Sequence, residues 1–132
     1  MRLLRLSGRK VCERVKTKGF LWKGKHLHVR WMQGAPRTIL LDAPLALYVG
    51  TLTSAKLDKS AVRRNRMRRR CREALRITLK DSSKTKVSFG ASYQLLLFPR
   101  SSSLSADFRD ILADISHFLT SLSCPQQSRN RR

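Results

Sequence analysis

Residues 61–76 read AVRRNRMRRRCREALR, and this stretch decides how the rest of the chain is interpreted. Eight of its sixteen residues are arginine, and Glu73 is its single acid. When residues 62–79 are placed at about 100° per residue, the apolar side chains gather on one side. They are Met67, Cys71, Ala74 and Leu75. A disordered basic tail has no reason to keep them in phase, and arginine favours helices, so we predict a helix here.

The opposite side of this predicted helix carries the cations. It is formed by Asn65, Arg68, Arg69, Arg72 and Arg76, with Arg63, Arg66 and Arg70 around the rim. Arg64 falls inside the apolar sector, but in the first turn, where the chain is still entering the helix. Solvated charged helices usually mix acids with bases, whereas this one has one acid, so most charges need a partner outside the helix. Guanidinium forks bind phosphate in a bidentate manner, which indicates nucleic acid.

The composition of the whole chain points to the same class of partner. Its 132 residues suggest one domain, and 41% apolar content is enough for a core. Lys+Arg is 29 against Asp+Glu 8, a net charge of +21. Neutralising phosphates releases counterions, so nucleic acid is favoured over an anionic membrane surface. We expect a single domain over residues 1–123 and a disordered basic tail over 124–132.

Several other protein classes are disfavoured. The three cysteines have no C-x-x-C spacing, which argues against a disulfide framework or a zinc site and suits a reducing cytoplasm. No apolar run is long enough for a signal peptide or a transmembrane helix. His26-x-His28 has no third metal ligand nearby, so exposed or groove-facing histidines are favoured. P-loop, nucleophile-elbow and H-E-x-x-H motifs are absent, and we predict no catalytic residue in the protein.

The remaining segments predict a small α+β domain with one sheet. In HLHVRWM, residues 26–32, alternation directs Leu27, Val29 and Trp31 to one face. His26, His28 and Arg30 should lie on the other face. Further strands are predicted at 38–44, 46–53 and 93–98, the last central because it is almost continuously apolar. Helices are predicted from a Ser7 cap to residues 18–19 and over 106–122.

A family resemblance follows from the arginine stretch. Arg64-Asn65-Arg66, followed by Arg68, Arg69 and Arg72, resembles the RNR signature of the bacterial ribonuclease P protein subunit. That signature is roughly R-N-R-x-(K/R)-R-x-x-R-(E/Q)-(A/S)-(F/L). The other family elements follow in the expected order. They are a first helix ending at Gly19, a strand at Lys25–Trp31, a late strand at Gln94–Arg100 and a last helix at Leu104–Leu119.

The resemblance implies a fold and a function. The fold is an α-β-β-β-α-β-α two-layer sandwich with one mixed sheet and a left-handed βαβ crossover. The function is that of the protein subunit of ribonuclease P, which binds a catalytic RNA and the 5′ leader of precursor tRNA during tRNA maturation. Catalysis and most of the Mg²⁺ would belong to the RNA, with one protein per RNA and no membrane. A structural rRNA-binding (ribosomal) protein is the alternative, since it would share the charge and the tail.

The resemblance also implies two groups of binding residues. The residues facing the catalytic RNA would be Arg64, Asn65, Arg66, Arg68, Arg69 and Arg72. The residues of the leader groove would be Cys12, Lys16, Lys25, His26, His28 and Arg30. The family commonly has aromatic residues where this chain has Cys12 and Lys16.

Overall fold

The computed structural model describes residues 2–36, 45–54, 56–85 and 91–123, without the side chains of Arg2, of 81–85 and of Ser123. Their elements are β1 (Arg2–Arg5), α1 (Arg9–Lys18), β2 (Phe20–Lys23), β3 (Leu27–Gln33), β4 (Ala46–Thr51), α2 (Ala61–Thr85), β5 (Tyr93–Pro99), α3 (Ser102–Ser105) and α4 (Phe108–Ser123). The predicted α+β class is confirmed. The strand predicted at 38–44 and the tail at 124–132 lie outside the described residues.

The five strands found in the described ranges form one mixed sheet with the order β1-β4-β5-β3-β2. β4 is parallel to both β1 and β5, whereas β3 is antiparallel to β5 and to β2. β5 is central, as its apolar run predicts, and Leu95, Leu96 and Leu97 are fully buried. Both faces of this strand are covered, which explains why residues 95–97 are all apolar.

Helices cover the two faces of the sheet unequally. The larger core lies between the sheet and the helices α2 and α4, where Leu75, Ile115 and Phe118 pack against residues such as Leu97. On the other face, α1 covers only part of the sheet and buries Val15 in a smaller cluster. No helix in the described ranges combines the length and apolar character needed to cross a membrane.

The crossover from β4 through α2 to β5 has an unusual hand. The Leu52 amide, just after β4, donates to the Leu97 carbonyl at 2.9 Å, so this carbonyl points towards β4. The Leu97 side chain points towards α2, where it shares a core cluster with Cys71 and Ala74. For an L-residue, these directions place β4 to the right of β5 when the strands point up and α2 faces the viewer. The chain therefore moves leftwards, and the crossover is left-handed, against the usual rule.

Parts of the sequence-based prediction were wrong, both at the N-terminal end and just before the last helix. The N-cap of α1 is Gly8, with φ 102°, and no side chain caps the helix, so Ser7 does not have the predicted role. The short strands β1 and β2 were not predicted. The last helical segment is split, because Ala106 is extended (ψ 153°) and separates α3 from α4.

Candidate nucleic-acid interface

The orientation of α2 is fixed by its buried side. Met67, Cys71, Ala74 and Leu75 are all 0% exposed, which confirms the predicted apolar sector. We call these four residues the α2 seam. Burying an apolar side chain of Leu or Met size contributes about 1.5–3 kcal/mol, so the seam holds the helix against the sheet and α4. The opposite side of α2 must then face away from the core.

That outward side, the arginine face, consists of Asn65, Arg66, Arg68, Arg69 and Arg72. All of them except the half-buried Arg68 are exposed. The described residues contain two ion pairs, Arg63 with Asp58 and Arg76 with Glu73, and both lie beside this face. Arg66, Arg69 and Arg72 therefore have no carboxylate partner in the described part of the chain. Their charges are available to an external anion.

The turn before α2 is held by Asp58 and Ser60. Asp58 accepts the Ser60 amide at 2.9 Å and the Arg63 Nε at 2.8 Å, and Ser60 Oγ accepts the Arg63 amide at 3.3 Å as an N-cap. Arg64 donates to the carbonyls of Asp58 and Lys59 at 2.8 and 3.2 Å. The bond from the Ser60 amide and the bond from Arg63 lower the pKa of Asp58. Arg64, which lies in the apolar sector, is thus satisfied by the turn.

Arg68 is held in one orientation by two neutral acceptors. Its guanidinium donates to Thr53 Oγ1, between β4 and α2, and to Asn65 Oδ1, one turn earlier in the helix. Two fixed contacts reduce the rotamer entropy that a long side chain loses when it binds a ligand. Arg68 is therefore preorganised, in contrast to the exposed Arg66 and Arg69.

Arg70 has a structural role. It donates to the Leu104 carbonyl at 3.2 Å and to the Ala106 carbonyl, so it satisfies the end of α3 and the break before α4. Carbonyl groups at a helix end have no partner within the helix, and a cation there is favourable. Arg70, at the rim of α2, thus connects α2 to α3 through these hydrogen bonds.

A cleft of about 520 Å³ lies beside the arginine face, and we call it the RNR cleft. It is lined by Arg5, Val49, Gly50, Thr51, Asn65, Arg68, Arg69 and Arg72. Four of these are arginines, and none is an acid. Arg5 was not predicted, because nothing local to RLLR shows that β1 pairs with β4 near α2.

A second cleft lies between α1 and the sheet. It consists of two adjoining hollows of about 450 Å³ each, which share Lys16 and Leu52, and we call it the α1 cleft. The structure brings the predicted groove residues Cys12 and Lys16 together here, with the exposed Glu13 beside them. Burial raises the pKa of Cys12, so its thiol stays protonated near neutral pH.

Phe98 is a groove residue that sequence reasoning missed. It lines the α1 cleft, is half-buried and pairs in register with His28 across β5 and β3. The alternation of β5 contained the signal, because Gln94, Leu96 and Phe98 share one face. Phe98 therefore supplies an aromatic ring to the α1 cleft, whereas Cys12 and Lys16 have none.

The two predicted groove residues on β3, His28 and Arg30, have different contacts. His28 lies beside Phe98, and burial, then Arg100, then Lys23 lower its pKa, which favours the neutral imidazole. Arg30 shares the face of His28, but its Nη1 donates to the Gly19 carbonyl at 3.4 Å and ties β3 to the end of α1.

His26 and Lys25 precede β3. The His26 amide donates to Asp114 Oδ2 at 2.7 Å, and its Nδ1 is 2.9 Å from Ser102 Oγ. These contacts hold His26 against α3 and α4, which lie on the opposite face from α1. The structure therefore does not bring His26 to Cys12 and Lys16. Lys25 is exposed in the same turn.

Known proteins resemble the chain in sequence and in fold. The family model for Ribonuclease P matches residues 1–123. The ribonuclease P protein component of Rickettsia rickettsii is 30% identical over 100 residues, which cover 73% of this chain and 81% of that protein. The corresponding protein of Rickettsia conorii is 31% identical over 97 residues, which cover 70% and 79%.

Solved structures agree with the fold. The RNase P protein of Staphylococcus aureus has a TM-score of 0.62 at 19% identity, covering 87% of this chain and 91% of that one. That of Thermotoga maritima has a TM-score of 0.62 at 17% identity, covering 88% and 94%. At such identities the structures support the fold, while the family model and the sequence relatives establish the family. The chain, with its arginine face on a left-handed crossover helix, therefore belongs to the Ribonuclease P family as a protein component.

Proposed function

We propose that this protein binds the catalytic RNA of ribonuclease P through the arginine face and promotes removal of the 5′ leader from precursor tRNA. The observation that carries the proposal is the arrangement of α2. Its seam is fully buried, while Arg66, Arg69 and Arg72 project outwards without carboxylate partners among the described residues. A rigid helix presents these guanidinium groups at fixed spacing, which suits a folded RNA.

The α1 cleft is the proposed path of the leader. In this cleft, Lys16 on α1 would contact the RNA backbone and Phe98 on the sheet would contact a base, with His28 adjacent to Phe98. Single-stranded RNA is typically held by basic grooves with aromatic stacking. Phe98 is the stacking residue that we propose, because the positions of Cys12 and Lys16 provide no ring.

The chemistry is proposed to reside in the RNA. In the described part of the chain, no three His, Cys, Asp or Glu side chains are grouped to hold a metal ion. Mg²⁺ is proposed to bind mainly to the partner RNA, where it would activate water and stabilise the leaving oxygen. We further propose a cytoplasmic complex with one protein per RNA.

Reconstitution tests the proposal. Purified protein should stimulate cleavage of precursor tRNA by the cognate ribonuclease P RNA at low Mg²⁺, where the RNA alone is weak. Stimulation should be lost in a variant with Arg66, Arg69 and Arg72 all changed to Gln. No stimulation by the wild-type protein would refute the proposal. Cleavage by protein alone would indicate a nuclease, and co-purification with ribosomes but not with this RNA would support the ribosomal alternative.

A further inference from the structure

The RNR cleft and the α1 cleft meet at one end of the sheet. They lie on opposite faces, yet Arg5, Gly50 and Thr51 line both of them. These residues are at the carboxyl ends of the parallel strands β1 and β4. The shared lining makes the two clefts continuous around this end of the sheet.

Arg5 is placed at the junction by strand pairing. β1 pairs in register with β4, with Arg5 opposite Val49, and the Leu6 amide extends the pairing by donating to the Val49 carbonyl at 2.9 Å. Val49 packs on the α2 side, and residues paired in register on neighbouring strands point to the same face of a sheet. Arg5 therefore points to the side of the arginine face. Leu6 is buried on the α1 side and anchors the strand. Arg5 itself is exposed and has no ion pair within the described residues.

The junction is lined by Gly50, which has no side chain, and by the hydroxyl group of Thr51. A Cβ at Gly50 would lie 3.1 Å from Leu96 Cδ2, so a side chain there would crowd the junction. Thr51 Oγ1 is buried, and it has no hydrogen-bond partner among the described residues. A buried hydroxyl without a partner is unfavourable unless a ligand or water completes it. The junction thus combines an unpaired cation with an unsatisfied hydroxyl.

The charge along the joined clefts has one dominant sign. Its cations are Arg5, Arg9, Lys16, Arg68, Arg69 and Arg72. Glu13, on α1, is the single acid in the lining of the two clefts. A continuous track of cations along a groove is the usual arrangement for following a nucleic-acid backbone.

We propose that the two clefts form one phosphodiester-binding path around the ends of β1 and β4, and that Arg5 binds RNA phosphate where the catalytic RNA and the leader come together. This inference rests on the proposed function. It assigns to β1, which lies outside the RNR signature, a binding role at both RNAs. Arg5 therefore couples the two binding surfaces, while Arg72 serves only the first and Lys16 only the second.

Two binding assays test this role with the full-length protein. The first measures the affinity of the protein for ribonuclease P RNA over a salt series. The second measures the affinity of the assembled holoenzyme for precursor tRNA and for mature tRNA. Arg5→Gln should weaken the first about fivefold with a salt slope shallower by about one, and it should also weaken precursor binding more than mature binding. Arg72→Gln should affect the first assay only, and Lys16→Gln the precursor preference only.

The exposed Arg109 of α4 lines neither cleft, so Arg109→Gln is the matched control for loss of charge. Arg5→Lys should retain most of the salt slope, because the charge remains. If Arg5→Gln equals Arg109→Gln in both assays, or changes only one of them, the coupling role is wrong. Failure of the wild-type protein to bind this RNA would instead refute the proposed function, so the two failures are distinguishable.

Discussion

The substitution Arg70→Met tests whether this arginine of α2 stabilises the fold rather than binding RNA. Arg70 donates to the carbonyls of Leu104 and Ala106, and methionine removes both donors while keeping length. Hydrogen bonds from a charged donor contribute about 1.5–3 kcal/mol each. Arg70 Nε is buried with no partner in the described residues, which offsets part of this gain. We therefore expect the free energy of unfolding to fall by about 2–3 kcal/mol.

The assay is urea unfolding followed by tryptophan fluorescence, with Arg72→Met as the matched control. Arg72 is exposed and has no carboxylate partner among the described residues, so its loss should leave the unfolding free energy unchanged or slightly raised. Affinity for ribonuclease P RNA should show the reverse order, with Arg72→Met weakened and Arg70→Met near wild type once the protein is folded. If Arg70→Met keeps wild-type stability and loses RNA affinity, Arg70 belongs to the arginine face and the reasoning is wrong.

Three further predictions concern single contacts. Thr53→Val should weaken RNA binding by roughly 1 kcal/mol by releasing Arg68, and Thr53→Ser should restore it; equal affinities would exclude this positioning. Phe98→Leu should weaken holoenzyme binding to precursor tRNA by about 1–3 kcal/mol while sparing mature tRNA, and equal effects would place Phe98 outside the leader path. Asp58 has a folded-state pKa below its unfolded value, so its stabilisation is present above about pH 4 and is lost as pH falls further. In urea titrations, the stability difference between wild type and Asp58→Asn should therefore shrink below about pH 4; a constant difference would contradict this assignment.

The parts of the fold with strong local periodicity were predictable from sequence. The α2 seam follows a helical period, and the central strand β5 is a continuous apolar run, so both were found without any contact information. The alternation of β3 likewise placed Leu27, Val29 and Trp31 in the core. Each of these signals is contained within one element.

Features that depend on distant contacts were missed. β1 is four residues long, and its partner β4 lies more than forty residues away, so RLLR alone does not indicate a strand. His26 was assigned to the α1 side by alternation, but it precedes β3, and Asp114 holds its amide from α4. The left-handed crossover opposes the general rule and came only from the family resemblance.

The salt dependence of RNA binding tests the central claim most directly. The Kd for ribonuclease P RNA should be measured across a salt series for the wild type and for the variant with Arg66, Arg69 and Arg72 changed to Gln. If these exposed arginines neutralise phosphates, the slope of log K against log salt should become shallower by about 2–3, because each contact contributes about 0.7–0.9. A variant that is folded and binds with the wild-type slope would show that the arginine face is not the RNA interface.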